Sequence, residues 1–198
     1  MRAYRCIPGR AYRADDDPEV VGRALRELHG IGLNRAAAAL GTAPSLDAWA
    51  ESYRRLADGI RTDVLPLLPQ PSRDALEVAL SDLAREWGSV TPSLVHRDLG
   101  AEHLLMRDSH DLSGIIDFGD ATIGDPTINF VGVRSTSGLA GVRRATAAYG
   151  AEVDLDRLQM YYWLGAAHAV RYGVRTRDDR LVRDATAGLA PRLLRPAG

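Results

Sequence analysis

The chain has 198 residues, 45% of them apolar and 26% charged, with a net charge of −1, enough for one domain with a real core and too little to expect two independent ones. The near-neutral balance gives no electrostatic case for nucleic acid or an anionic membrane. No apolar run approaches the roughly 20 residues that span a bilayer, and the opening MRAYRCIPGR lacks the apolar centre of a signal peptide, so a cytoplasmic protein is expected.

One cysteine, Cys6, excludes an internal disulfide framework and a cysteine-rich metal site. All 25 basic residues are arginine; the chain has no lysine.

Residues 1 to 16 read as an irregular or extended lead-in that turns at Pro8-Gly9. Asp17 then caps a helix with Pro18 at its first position, an apolar stripe of Val21, Leu25 and Leu28, and an end at His29-Gly30. The spacing predicts a second helix over 45–64, burying Trp49, Tyr53, Leu56 and Ile60. A third is expected over 72–87, with Leu76, Leu80, Leu83 and Trp87 inward and Gly88 as its stop. The middle changes character: SLVH, HLLM and GIIDF, at 93–96, 103–106 and 114–118, are short apolar runs between loops, the pattern of short strands around a polar turn. After Gly124-Asp125-Pro126 helical patterns return at 127–134, about 138–149, about 155–173 and near 178–188. The expected fold class is α+β and mostly α-helical.

The chemistry sits in that middle. His96-Arg97-Asp98-Leu99 is followed by His103, five positions after the aspartate, and by Asp117-Phe118-Gly119, nineteen positions after it. A loop between short strands can present Asp98 and His103 to one cleft while Asp117 arrives at the end of the next strand. Phosphoryl transfer from a magnesium nucleotide needs such a layout, with one carboxylate to take or orient the proton of an attacking hydroxyl and another to hold the cation that bridges the phosphates. In the protein-kinase pattern H-R-D-L-x-x-x-N followed by D-F-G, these roles fall to the first Asp, the Asn and the second Asp. Here Asp98, His103 and Asp117 stand in those places.

VHRDLGAEHLL and GIIDFGDATIGDPTIN together resemble the aminoglycoside and macrolide phosphotransferase family, whose motif runs H-G-D-L-x-x-x-N, then I-D-[FW], then G-D-P-x-x-D. The G-D-P at 124–126 favours this family over protein kinases, which would carry A-P-E. IPGR at 7–10 and LRELHGI at 25–31 are similar to the family's linker and to the first helix of its C-terminal lobe. The resemblance implies the C-terminal, catalytic and substrate-binding lobe of a protein-kinase-like fold over 17–198, with 1–16 as a hinge remnant and the N-terminal nucleotide lobe absent. It implies ATP as phosphoryl donor, Mg2+ as cofactor, Asp98 as catalytic base, and His103 and Asp117 as metal ligands. Three residues depart from the motif. Arg97 replaces the glycine, His103 replaces the asparagine although magnesium prefers oxygen ligands, and Asn129 replaces the last acid, a loss of charge expected to weaken ordering of the catalytic loop.

Kinases of this type also use a glycine-rich loop and a phosphate-pairing lysine, and this sequence has no G-x-G-x-x-G and no lysine. Weak ATP binding, little turnover by the chain alone, and an exposed apolar face prone to self-association are therefore expected. His96 and Arg97 read as holding the loop and Asp125 as ordering it. His29, at a helix C-terminus where positive charge is welcome, reads as structural; His110 and His168 read as ordinary. For a substrate, Asp154, Asp178 and Asp179, with Glu152 and Asp156, offer an acidic rim for a polycation, or else helix caps and solvated faces. Tyr161, in the run QMYYWLGAAHAVRYG, offers an aromatic wall, or else core filling. Two further functions stay open: a binding module that keeps the substrate cleft without transfer, and a metal-dependent hydrolase built from His96, His103, His110, Asp98 and Asp117.

Overall fold

A computed structural model of the chain describes residues 7–83 and 89–194. The expected inward Trp87 and helix stop at Gly88, and the single cysteine Cys6, lie outside the described residues. The chain forms two compact units, one of Met1–Pro44 with Thr91–Asp154 and one of Ser45–Val90 with Leu155–Gly198.

The first unit begins with β1 (Arg10–Ala11), α1 (Pro18–His29) and α2 (Leu33–Leu40). It continues after residue 90 with β2 (Ser93–Val95), β3 (Leu104–Met106), β4 (Leu112–Ile115), β5 (Thr122–Gly124) and α5 (Val131–Tyr149). β1, β3 and β4 make one antiparallel sheet, in which Leu104 faces Ile115 and Leu105 faces Gly114, with a register shift before Met106 faces Leu112. β2 and β5 make a second, pairing Ser93 with Gly124 and Val95 with Thr122. Two buried glycines set how closely the backbones approach. A Cβ at Gly22 of α1 would stand 2.0 Å from the carbonyl oxygen of Ala145 on α5, and one at Gly132 would stand 2.0 Å from that of Leu99. The start of α5 is thereby seated directly on the loop that follows β2.

α1 starts as the sequence indicates: the Asp17 carboxylate accepts from the Glu19 amide at 3.1 Å with Pro18 at the first position. Arg144 of α5 donates to the same carboxylate at 2.7 Å. The lead-in is anchored too, because Arg10 donates to both oxygens of the buried Asp16 at 2.6 Å. That pairing holds the Asp16 carboxyl well below the usual carboxylate range.

The second unit holds α3 (Asp47–Asp63), α4 (Gln70–Leu83), α6 (Leu155–Thr176) and α7 (Asp179–Leu193). Its core joins Trp49, Tyr53 and Ile60 of α3 to Leu76 and Leu80 of α4, Leu158, Tyr161 and Leu164 of α6, and Leu189 of α7. Among the described residues no helix is long and apolar enough to cross a membrane.

Several boundaries differ from those expected. α2 and β5 were not anticipated. The patterns at 127–134 and 138–149 belong to a 3-10 turn at Pro126–Phe130 running into one helix, kinked where Gly138 adopts φ 66° and ψ −169°. Asp117 does not end a strand: β4 stops at Ile115, and Asp117 sits two residues on with φ 63°.

Candidate active site

Val95 ends β2 fully buried, and the chain then turns through 96–100 before a 3-10 turn at Ala101–His103 feeds β3. His96 is buried, and its Nε2–H donates to the carbonyl oxygen of Ile116 at 2.7 Å, stapling the loop to the end of β4. Its ring packs against Phe118 and His103, with centroids 4.8 and 5.5 Å apart. Arg97 adopts φ 73°, the left-handed region where the related motif has glycine; a non-glycine residue there costs on the order of 1–2 kcal/mol. Its N–H is held at 3.2 Å by the side-chain oxygen of Asn129. Asp98 follows and is exposed, whereas Leu99 is buried under Gly132.

His103 joins the two carboxylate positions. Its Nδ1 lies 2.6 Å from the main-chain carbonyl oxygen of Asp98, a contact only a protonated nitrogen can make, so Nδ1–H donates. In the neutral ring Nε2 therefore carries the lone pair, and it lies 3.8 Å from Oδ2 of Asp117. The His103 main chain is tied to the same place, its carbonyl oxygen accepting from the Ile116 amide at 3.0 Å. Asp117 itself is exposed, with left-handed backbone that aspartate tolerates better than most residues. One imidazole thus bridges the Asp98 main chain and the Asp117 carboxylate.

Asp125 is buried and accepts from the Thr127 amide at 2.9 Å, capping the Pro126–Phe130 turn that carries Asn129 inward. Asn129 is fully buried. Its Nδ2 donates to Nε2 of His29 at 2.9 Å, and Nδ1 of His29 lies 2.9 Å from the Tyr149 hydroxyl. Where the related motif has an acid, the Asn129 amide binds Arg97 from one end and His29 from the other. One expectation is corrected here. His29 is not a welcome positive charge at a helix end, because burial pushes its ring down to about 4 and keeps it neutral. Sequence reasoning missed this pair as a unit; residues 29 and 129 are a hundred positions apart, and no local spacing links them.

The remaining candidates separate. Tyr161 is 1% exposed, its ring 5.4 Å from that of Tyr53 and 6.2 Å from that of Trp49, so it fills core and offers no wall to a ligand. Asp178 caps α7 by accepting from the Leu181 amide at 2.9 Å, and Asp179 lies in that helix's first turn, where negative charge is favoured. Asp154 is exposed immediately before α6. The five-residue metal cluster required by a hydrolase is not formed: His110 instead meets Asp16 at 3.2 Å, and among the described residues no three His, Cys, Asp or Glu side chains could hold a metal together.

Over residues 1–187 the sequence matches the phosphotransferase enzyme family known as APH. The chain belongs to that family. This phosphotransferase is 26% identical over 197 residues to the viomycin phosphotransferase of Streptomyces vinaceus, covering 92% of its own length and 67% of that protein's. Its fold matches that of aminoglycoside 2'-phosphotransferase-IIIa, solved as a GDP complex, with a TM-score of 0.80 and 25% identity over 96% of this chain and 69% of that one. With macrolide 2'-phosphotransferase type I the TM-score is 0.72 at 20% identity, over 89% of this chain and 60% of the other, a likeness of fold.

Proposed function

We propose that this phosphotransferase moves the terminal phosphoryl group of ATP to a hydroxyl of a small molecule of the antibiotic type, an aminoglycoside, a macrolide or a viomycin-like peptide. The observation that carries the reading is the orientation of His103, which spends its Nδ1–H on Asp98 and turns its other nitrogen toward Asp117. The site then has two sides. On one, the exposed Asp98 carboxylate takes the proton of the acceptor hydroxyl as the acceptor oxygen bonds to the γ-phosphorus and the bridging P–O bond breaks, releasing ADP. On the other, His103 and Asp117 would hold the cation that accompanies the nucleotide.

The residues fit a cation as a partial set. A metal-binding histidine commonly donates its second ring N–H to a backbone carbonyl, as His103 does, and Asp117 adds a carboxylate. The other ligands would be phosphate oxygens and water, which is how nucleotide-bound divalent cations are usually held. A cation placed there would neutralise charge on the phosphates. An imidazole donor moves the site's preference away from Mg2+ and toward Mn2+. Since a relative was solved with GDP, GTP is the alternative donor to compare with ATP.

The test incubates the protein with ATP or GTP, with Mg2+ or Mn2+, and with each acceptor class, and follows the acceptor by mass spectrometry. One phosphoryl group should be gained, and the gain should vanish in Asp98→Asn. Equal transfer by that variant removes Asp98 from the role. The alternative is a module that binds the acceptor without transfer. Acceptor binding seen by calorimetry with no phosphoryl gain for any donor and cation would select it.

A further inference from the structure

The buried amide of Asn129 has only one orientation that satisfies its neighbours. Arg97 N–H is a donor, so Oδ1 must face it; Nδ2 then faces His29, whose Nε2 must be a bare lone pair. The His29 proton is therefore on Nδ1, where it is donated to the Tyr149 hydroxyl. The chain of donors runs one way, from the catalytic loop through the amide to the imidazole and on to α5, and its middle link, from Asn129 to His29, requires a neutral ring. A proton added at Nε2 would set an N–H against the amide N–H. Flipping the amide relieves that clash only by turning Nδ2 toward Arg97 N–H, again donor against donor. Once flipped, the amide offers Arg97, at φ 73° and one residue before Asp98, no acceptor to offset its backbone strain; unflipped, it keeps Arg97 only with two donors opposed at His29.

We infer that His29 is a positioning residue for the loop at 96–98, acting through Asn129, and that gaining a proton releases the loop. Burial, which pushes the His29 ring down to about 4, places that release on the acid side of neutrality. The titratable and charged groups on the elements around the ring are Tyr149, Arg134, Arg143 and Arg144 on α5, Asp125 at the head of the 126–130 turn, His96 and Arg97 after β2, and Glu19, Arg23, Arg26 and Glu27 on α1 itself. Tyr149 is pushed up by its own burial and by Asp125, so it stays a neutral phenol and acceptor throughout. The catalytic importance of the loop rests on the function proposed above; the coupling between His29 and Arg97 does not.

The test follows the His29 ring and the Arg97 amide by NMR across an acid titration of the full chain, with no substrate or turnover needed. In the unaltered protein the Arg97 amide shift and its exchange protection should follow the His29 ring, with a common midpoint below that of an ordinary histidine. Asn129→Asp should raise the His29 midpoint by about one pH unit or more, since a carboxylate within hydrogen-bond reach favours the imidazolium. It should also carry Arg97 protection to lower pH, because the carboxylate accepts from both neighbours. His29→Gln, whose side-chain oxygen can accept from Asn129, should keep Arg97 protected and abolish its pH dependence. An Arg97 amide indifferent to the ring's titration, or an unmoved His29 midpoint in Asn129→Asp, overturns the inference. Failure of phosphoryl transfer would overturn only the proposed function.

Discussion

His103 Nδ1 donates to the main-chain oxygen of Asp98 at 2.6 Å, and that one bond determines which ring nitrogen looks at Asp117. The family motif puts an amide oxygen here; this chain supplies a borderline nitrogen donor whose direction is fixed by the loop it sits in. His103→Asn should restore an oxygen ligand and shift nucleotide binding from Mn2+ toward Mg2+ by about tenfold in the ratio of affinities. Calorimetric titrations of nucleotide with each cation check this, and an unchanged ratio argues that His103 does not face the cation.

Gly132→Ala tests how the loop is seated. The added Cβ would meet the Leu99 carbonyl oxygen at 2.0 Å, backbone against backbone, with no flexible side chain to give way. Overpacking of this kind costs about 1–3 kcal/mol. Thermal unfolding should show a drop of several degrees, and the 96–98 amides should exchange faster than in a control such as Gly165→Ala, where a Cβ meets nothing within 4 Å.

Acid sensitivity follows from two groups. His29 titrates near 4 when folded and near 6.5 when unfolded, so between those values the unfolded chain binds more protons and stability rises with pH. The contribution is complete above about pH 6.5 and falls as pH drops, by about 3 kcal/mol at pH 4. Asp16, held down chiefly by its hydrogen bonds from Arg10, adds stability present above its ordinary carboxylate range and lost as pH falls below it. Urea unfolding at pH 7 and pH 4.5 should show the His29 loss, since the Asp16 loss lies at lower pH. His29→Gln should flatten the slope over that interval.

The nearness of His103 to the Asp98 main chain and to Asp117 was legible because its signal is local. The spacing from Asp98 to His103 to Asp117 comes from one loop and one hairpin, so the sequence order nearly fixes the geometry. α1 was equally clear, since Asp17, Pro18 and the Val21-Leu25-Leu28 stripe agree with one another. α2 was hidden because LNRAAAAL buries only alanines, although Gly41, at φ 64°, is an ordinary helix stop. β5 spans three residues, too few for a period to appear. Tyr161 illustrates the opposite error: an aromatic run reads alike whether it lines a cleft or fills a core, and burial decides. Asn129 looked like a defect because its partner, His29, is distant in sequence, and an amide's worth depends on what lies at both ends.

The two aspartates divide the labour of the proposed reaction, Asp98 on the acceptor side and Asp117 on the cation side, and cation-dependent nucleotide binding separates their roles. Titrating ATP or GTP into the protein with and without Mn2+ should show binding that requires the cation, is lost in Asp117→Asn, and survives in Asp98→Asn. Binding that ignores the cation, or that persists undiminished in Asp117→Asn, would contradict the account.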